Sequence, residues 1–175
     1  VSIPPKDAPE EWTTELNIDN LSWLKNLSRK INNGILLIID YAIDSKKYYS
    51  PQKNDGTILA YKNQRAFREI LHSPGDFDLT CHICSDLLIY QAKLAGFESL
   101  GLVKQGEALL LLGLAQKLFE IQNNLKHDLS QALLRREAML RLVDPICLGD
   151  FKWFVFKKSS NKEFSIESKC INKSI

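Results

Sequence analysis

Asp78, Thr80 and His82 stand two residues apart. On an extended backbone such residues share a face, which would line up a carboxylate, a hydroxyl and an imidazole. That set can orient an amine or a guanidinium through paired hydrogen bonds and accept its proton. The plainer reading is that Asp78 and Thr80 cap the following helix and His82 packs in the core. A second carboxylate, Asp40, closes the run Gly34-Ile35-Leu36-Leu37-Ile38-Ile39-Asp40-Tyr41. Consecutive aliphatics after a glycine read as a strand buried on both faces, as in a parallel sheet under helices. Asp40 would then sit at the strand's carboxyl end, where open α/β sheets bind ligands; capping a turn is the alternative. Cys81 and Cys84 form C-H-I-C, which with His82 offers at most three zinc ligands and has no second pair downstream. No metal site is expected, and the cysteines read as reduced thiols of a cytoplasmic protein.

The elements that must position these residues follow from periodicity and turn signals. Asp19 can cap a helix with the stripe Leu21, Leu24, Leu27 and Ile31, and Gly34 is placed to end it in the left-handed conformation. Residues 41–79 form a long connection with turn signals at Asn54-Asp55-Gly56 and Ser73-Pro74-Gly75. Gly56 permits a positive φ before Thr57. A short strand is expected at 57–61 and a short helix at 64–71. Tyr48, Tyr49, Tyr61, Phe67 and Phe77 argue against disorder here, leaving a substrate-facing lid or a structural flap. A helix from Ser85 or Asp86 stops at Gly96, a strand covers 97–103, and 105–123 reads as a helix with a very apolar face. Asp128 or Ser130 caps a further helix that Pro145 ends; its Arg135, Arg136 and Arg141 read as a solvated face. Residues 151–156 are an aromatic-rich strand. The start, 1–9, with three prolines, reads as an extended lead-in, and 158–175 as a flexible tail.

A length of 175 residues suits one domain or part of a larger one. The net charge of +2 is too small to argue for nucleic acid or a membrane surface. No apolar run approaches the ~20 residues that span a bilayer, and residues 1–9 carry no signal pattern.

The wording Gly34-Ile35-Leu36-Leu37-Ile38-Ile39-Asp40-Tyr41-Ala42 resembles the strand motif of the MidA-like methyltransferases, the family that includes the mitochondrial complex I assembly methyltransferase. Further blocks follow in the family's order: Asp55-Gly56-Thr57-Ile58-Leu59-Ala60-Tyr61, Pro74-Gly75, Asp78-Leu79-Thr80-Cys81-His82, and Gln105-Gly106-Glu107-Ala108-Leu109-Leu110-Leu111-Leu112-Gly113. The resemblance covers about residues 12–156. Departures are Ala42, where the family usually has Gly, and Cys84-Ser85, where it tends to have an acid or amide and then Phe.

The resemblance implies an α/β fold, the carboxyl-terminal part of a class I, Rossmann-like methyltransferase sheet with helical and loop insertions, over residues 1–157. Residues 35–39 would be its fifth strand, 97–103 its sixth and 151–156 its antiparallel seventh. It implies S-adenosylmethionine as cofactor, with the binding half outside this segment, because the glycines show no G-x-G spacing. The implied substrate is a protein side chain, an arginine, on a respiratory-complex-type partner. Asp78, His82 and Asp40 would be catalytic, and Tyr41, Gly56, Thr57, Tyr61 and Thr80 would bind substrate. The competing expectation is a non-catalytic assembly module with a vestigial pocket. Either way the apolar strand and the 105–119 helix expect a partner, the remaining half or a second copy, because exposed apolar surface forfeits roughly 25 cal/mol per Å².

Overall fold

The computed structural model describes residues 10–123 and 129–160. The expected lead-in, the Asp128 cap and the tail from 161 onward lie outside the described residues. In chain order the elements are α1 (Asn20–Lys30), β1 (Asn33–Asp40), β2 (Ala42–Ile43), α2 (Ser45–Tyr48), β3 (Leu59–Lys62), β4 (Arg65–Phe67), β5 (Asp78–Thr80), β6 (Ile83–Cys84), α3 (Ser85–Leu94), β7 (Glu98–Lys104), α4 (Gln105–Leu111), α5 (Leu114–Asn123), α6 (Leu129–Val143) and β8 (Lys152–Ser159). They fall into two compact units, Val1–Ile31 with Tyr41–Phe97, and Asn32–Asp40 with Glu98–Ile175.

In the second unit the three long strands form one sheet in the order β1-β8-β7, with β8 antiparallel to both neighbours. The expected antiparallel pairing of 151–156 beside 35–39 is present. Two expectations about β1 fail. Among the described residues it is an edge strand, and its only ladder is antiparallel. Nor is it buried on both faces: Ile35, Leu37 and Ile39 are each more than 40% exposed. The opposite face carries Leu36 and Ile38, level with the fully buried Phe156 and Phe154 of β8. An unbroken aliphatic run hides this alternation, because it lacks the polar residues that would mark an outward face. A register shift between Ser99 and Gly101 interrupts β7.

Below this sheet's β7 end, α4, α5 and α6 pack on one another. The expected single helix over 105–123 is two helices. Gly113 adopts φ +96° and breaks the ladder after Leu111, a conformation that is cheap for glycine alone.

In the first unit α1 packs on α3 and buries Leu24 completely. Asp19 occupies the N-cap position of α1 without a side-chain capping bond. Gly34 does not end α1: the helix stops at Lys30 with Ile31 already extended, and Gly34 lies inside β1. Residues 64–71 are not helical. Arg65–Phe67 returns as β4 along β3, through a two-residue turn with Asn63 at φ 50° and Gln64 at φ 62°. Two successive left-handed residues match the right-handed twist of a hairpin. Gly96 ends α3 with φ +84°, as expected. A small core joins Tyr48, Tyr49 and Cys84, flanked by Trp12, Ile43 and Leu87. No helix among the described residues is long and apolar enough to cross a membrane.

Candidate functional site

Two short ladders in the first unit bring most of the candidate residues together. β3 lies between β4 and β5, and its register with β5 sets Leu59 opposite Thr80 and Tyr61 opposite Asp78. Cross-strand partners share a face, so these four side chains stand on one side of the ribbon. β2 and β6 run parallel, with Ala42 opposite Ile83. The Ile83 N–H donates to the Tyr41 carbonyl at 2.8 Å, which holds Tyr41 level with His82. Their ring centroids are 6.1 Å apart at 54°.

The result is a cavity of about 420 Å³, within the range of ligand sites. Its lining contains Tyr41, Thr57, Tyr61, Asp78, Thr80 and His82, with Leu59 and Cys81 between them. Six of the eight expected site residues therefore meet. Asp78 and Thr80 do not cap the next helix, whose N-cap position is Cys84. His82 is half-buried, and Tyr41 and Tyr61 are 44% and 39% exposed, which sets their rings at the rim. The alternation is imperfect, because Cys81 also faces the cavity; β5 ends at Thr80 and the pleat ends with it.

The other two expected residues have different places. Gly56 has φ +76° and forms the turn before Thr57, as expected, and its open side also holds a carboxylate. A Cβ there would lie 2.5 Å from Glu15 Oε1. Asp40 belongs to the second unit, as the last residue of β1, in register with Lys152.

Glu15 escaped the sequence reading. Its Oε1 accepts the backbone N–H groups of Thr57 at 2.7 Å and Ile58 at 2.6 Å. Its Oε2 accepts the hydroxyls of Thr57 and Tyr48, both at 3.2 Å. Thr57 in turn accepts the His82 backbone N–H on its hydroxyl oxygen at 3.0 Å. Burial, with a smaller contribution from the Glu15 charge, pushes the Tyr48 hydroxyl above the ordinary phenol range. That keeps it a donor to the carboxylate at any physiological pH. Nothing local marks Glu15 in the sequence; it precedes α1 and reaches residues more than 40 positions away.

Cys84 is buried beside Tyr48 and Tyr49, and burial raises its thiol. Cys81, Cys84 and Cys147 form no disulfide among the described residues. No group of three His, Cys, Asp or Glu is placed to hold a metal ion among them. Nor does a described glycine build a cofactor cradle. Gly56, Gly75, Gly96 and Gly113 have positive φ, and none stands in a turn leading from a strand into a helix, where an adenosyl cofactor is cradled.

In the second unit Gln105 is buried, more so than Glu15. Its Nε2 donates to the carbonyls of Leu142 at 3.2 Å and Leu148 at 3.0 Å, and its Oε1 accepts Trp153 Nε1–H at 3.2 Å. A Cβ at Gly106 or at Gly149 would run into the Val143 carbonyl oxygen. The Gln105-Gly106 motif thus ties the end of α6 to β8.

Comparison with known proteins agrees with this architecture. A COG1565 superfamily protein from Burkholderia thailandensis, solved with S-adenosyl-homocysteine bound, superposes with a TM-score of 0.76 at 26% identity; the alignment covers 87% of this chain and 39% of that one. A native structure of a COG1565 superfamily protein from the same organism gives the same TM-score and identity over 87% and 40% of the two chains. The chain thus spans about two-fifths of these proteins' length, and the class I methyltransferase fold expected from the sequence is the fold they share with it. No curated protein matches. Residues 2–103 match the family described as "Putative S-adenosyl-L-methionine-dependent methyltransferase". The match takes in more than half of the chain and every cavity residue, and the chain belongs to this methyltransferase family.

Proposed function

We propose that this chain forms the acceptor-binding part of a MidA-type methyltransferase whose substrate is an arginine side chain of a respiratory-complex-type protein partner. The observation that carries the proposal is the cavity that gathers Tyr41, Tyr61, Asp78 and His82. Two rim rings, a carboxylate and an imidazole suit a planar cation better than a neutral or anionic group. A guanidinium stacks on tyrosine faces and pairs with a carboxylate through two parallel hydrogen bonds. S-adenosylmethionine, when bound in the complete protein, supplies the methyl group. The described glycines form no strand-to-helix turn of the kind that cradles an adenosyl group, and on this reading the cavity serves the acceptor. Methylation of a guanidinium nitrogen releases one proton. Asp78 holds the acceptor in line, His82 takes that proton, and Thr80 and Thr57 complete the wall. Asp40, ending β1, is the second carboxylate candidate.

The test is methyl transfer by the full-length protein from labelled S-adenosylmethionine to arginine-containing peptides. Asp78→Asn and His82→Ala each lower turnover at least tenfold, about 1.4 kcal/mol in barrier, while cofactor affinity changes little. Normal turnover in both variants removes the proposal. A second reading, a non-catalytic assembly module, is favoured by the exposed Leu110, Leu111, Leu112 and Phe119 of the 105–123 segment. These fit either the remainder of the polypeptide or a second copy. On that reading the same two substitutions leave assembly untouched and no methyl transfer is found.

A further inference from the structure

We propose that Glu15 is the positioning residue of the cavity, acting through Thr57 to place His82; its effect on turnover rests on the acceptor-site reading above. The argument starts with two backbone amides. β3 begins at Leu59, so the N–H groups of Thr57 and Ile58 precede the ladder. A buried amide without an acceptor is costly, and Glu15 Oε1 accepts both, at 2.7 and 2.6 Å. A carboxylate suits this place because it only accepts, on two oxygens, and its bonds to amides are charge-assisted.

Local geometry makes room for it. Gly56 turns the chain with φ +76°, and its missing side chain lets Oε1 come within 2.5 Å of where a Cβ would stand. The segment that carries Glu15 is itself docked, because the Thr13 N–H donates to the Asn54 carbonyl at 2.8 Å. From Oε2 the path continues to the hydroxyl of Thr57, a residue 6% exposed, and from that oxygen to the His82 backbone N–H at 3.0 Å. Thr57 and His82 both line the cavity. β5 stops at Thr80, so the sheet ladder no longer fixes His82. The Thr57 bond and the Ile83 bond to Tyr41 do that instead. Glu15 itself does not line the cavity, which is why its role is positioning.

The experiment uses the full-length protein, with an arginine-containing peptide as acceptor probe and amide hydrogen exchange as a second readout. Glu15→Gln removes the charge and one of the two acceptor oxygens, so either the Thr57 and Ile58 amides or the Thr57 and Tyr48 hydroxyls face an NH₂ donor. Exchange at both amides and at His82 rises at least tenfold, turnover falls at least tenfold, and the cofactor dissociation constant stays within twofold. Thr57→Val keeps the volume and the backbone bonds to Glu15 but removes the acceptor for His82. It gives faster exchange at His82 alone and the same fall in turnover, which keeps the test open if Glu15→Gln does not fold. Gly106→Ala, in the second unit, lowers the melting temperature without changing turnover while folded, so a general loss of stability is recognisable. Turnover within twofold of wild type in folded Glu15→Gln overturns the proposal. If the wild type methylates none of the peptides, the acceptor reading fails separately. Exchange at His82 then decides the positioning role: a rise in both variants supports it, and no rise in either overturns it.

Discussion

Glu15 in the first unit and Gln105 in the second solve one problem with opposite chemistry. Each is a polar side chain that joins segments distant in sequence, and each sits beside a glycine that permits the approach. Glu15 gathers donors: two amides and two hydroxyls. Gln105 both donates and accepts, taking one helix-end carbonyl, one carbonyl of the turn that follows, and one indole N–H. The amide fits an orphan carbonyl at the end of α6 and one beyond it, whereas the carboxylate fits orphan amides ahead of β3. What surrounds each glycine also differs. Gly149 meets backbone, and Gly56 meets the tip of a side chain. The first corner is therefore a rigid joint, and the second an adjustable one at the wall of a cavity.

The largest expected effect tests that rigidity. A Cβ at Gly149 would lie 2.2 Å from the Val143 carbonyl oxygen and 2.4 Å from its carbon. Neither can rotate away, so the α6 terminus must move and take the Gln105 bonds with it. Gly149→Ala should destabilise the full-length protein by about 3 kcal/mol, at the upper end for overpacking. Urea denaturation measures it, and a loss below about 1 kcal/mol would show that the joint yields.

How far these corners were legible follows from where their information lies. Gln105-Gly106 was visible as a motif, though its partners were not. The strand expected over 57–61 and found as Leu59–Lys62, the Gly56 turn and the Asp78, Thr80, His82 set could be read because each is local: a turn residue, a short alternating run. The β3–β4 hairpin was missed because Asn63-Gln64 is a weak turn signal beside residues with good helix propensity. The alternation along β1 could not be read because Ile35, Leu37 and Ile39 are as apolar as the residues between them, although the strand was expected to need a partner. Glu15 could not be found at all. One acid among 21 Asp and Glu residues has no local signature when all its partners lie 33 to 43 positions away.

An intermediate effect tests the adjustable corner. Gly56→Ala forces an L-residue to φ +76°, about 1 kcal/mol, and displaces the Glu15 carboxylate, about 1 kcal/mol more. In a Glu15→Ala background only the first cost remains. The two substitutions should thus be less than additive, by about 1 kcal/mol in a double-mutant cycle. Full additivity would mean that Gly56 does not make room for Glu15.

The smallest effect concerns what charge contributes at the Gln105 corner, where the central side chain is neutral. Asp150 follows Gly149 and holds Lys104 Nζ at 2.8 Å and Lys152 Nζ at 3.0 Å. Hydrogen bonding to Lys104, then to Lys152, lowers its carboxyl below the ordinary aspartate range. A depressed folded-state pKa means stability that is present above the unfolded value of about 3.9 and lost as pH falls through the folded value. About half of the Asp150 and Lys104 side chains is exposed, so solvent screens most of the attraction and about 0.5 kcal/mol remains. Asp150→Asn should therefore cost about 0.5 kcal/mol at pH 7 and nothing once Asp150 is protonated. The same gap should shrink in about 1 M salt, where the Debye length is about 3 Å. Denaturant midpoints for the two proteins, taken from pH 7 down to about pH 2, give the curve. A gap that persists at the acid end would assign Asp150 to packing. One that closes there leaves the corner held by the Gln105 amide, with the surface charges adding a small, screened increment.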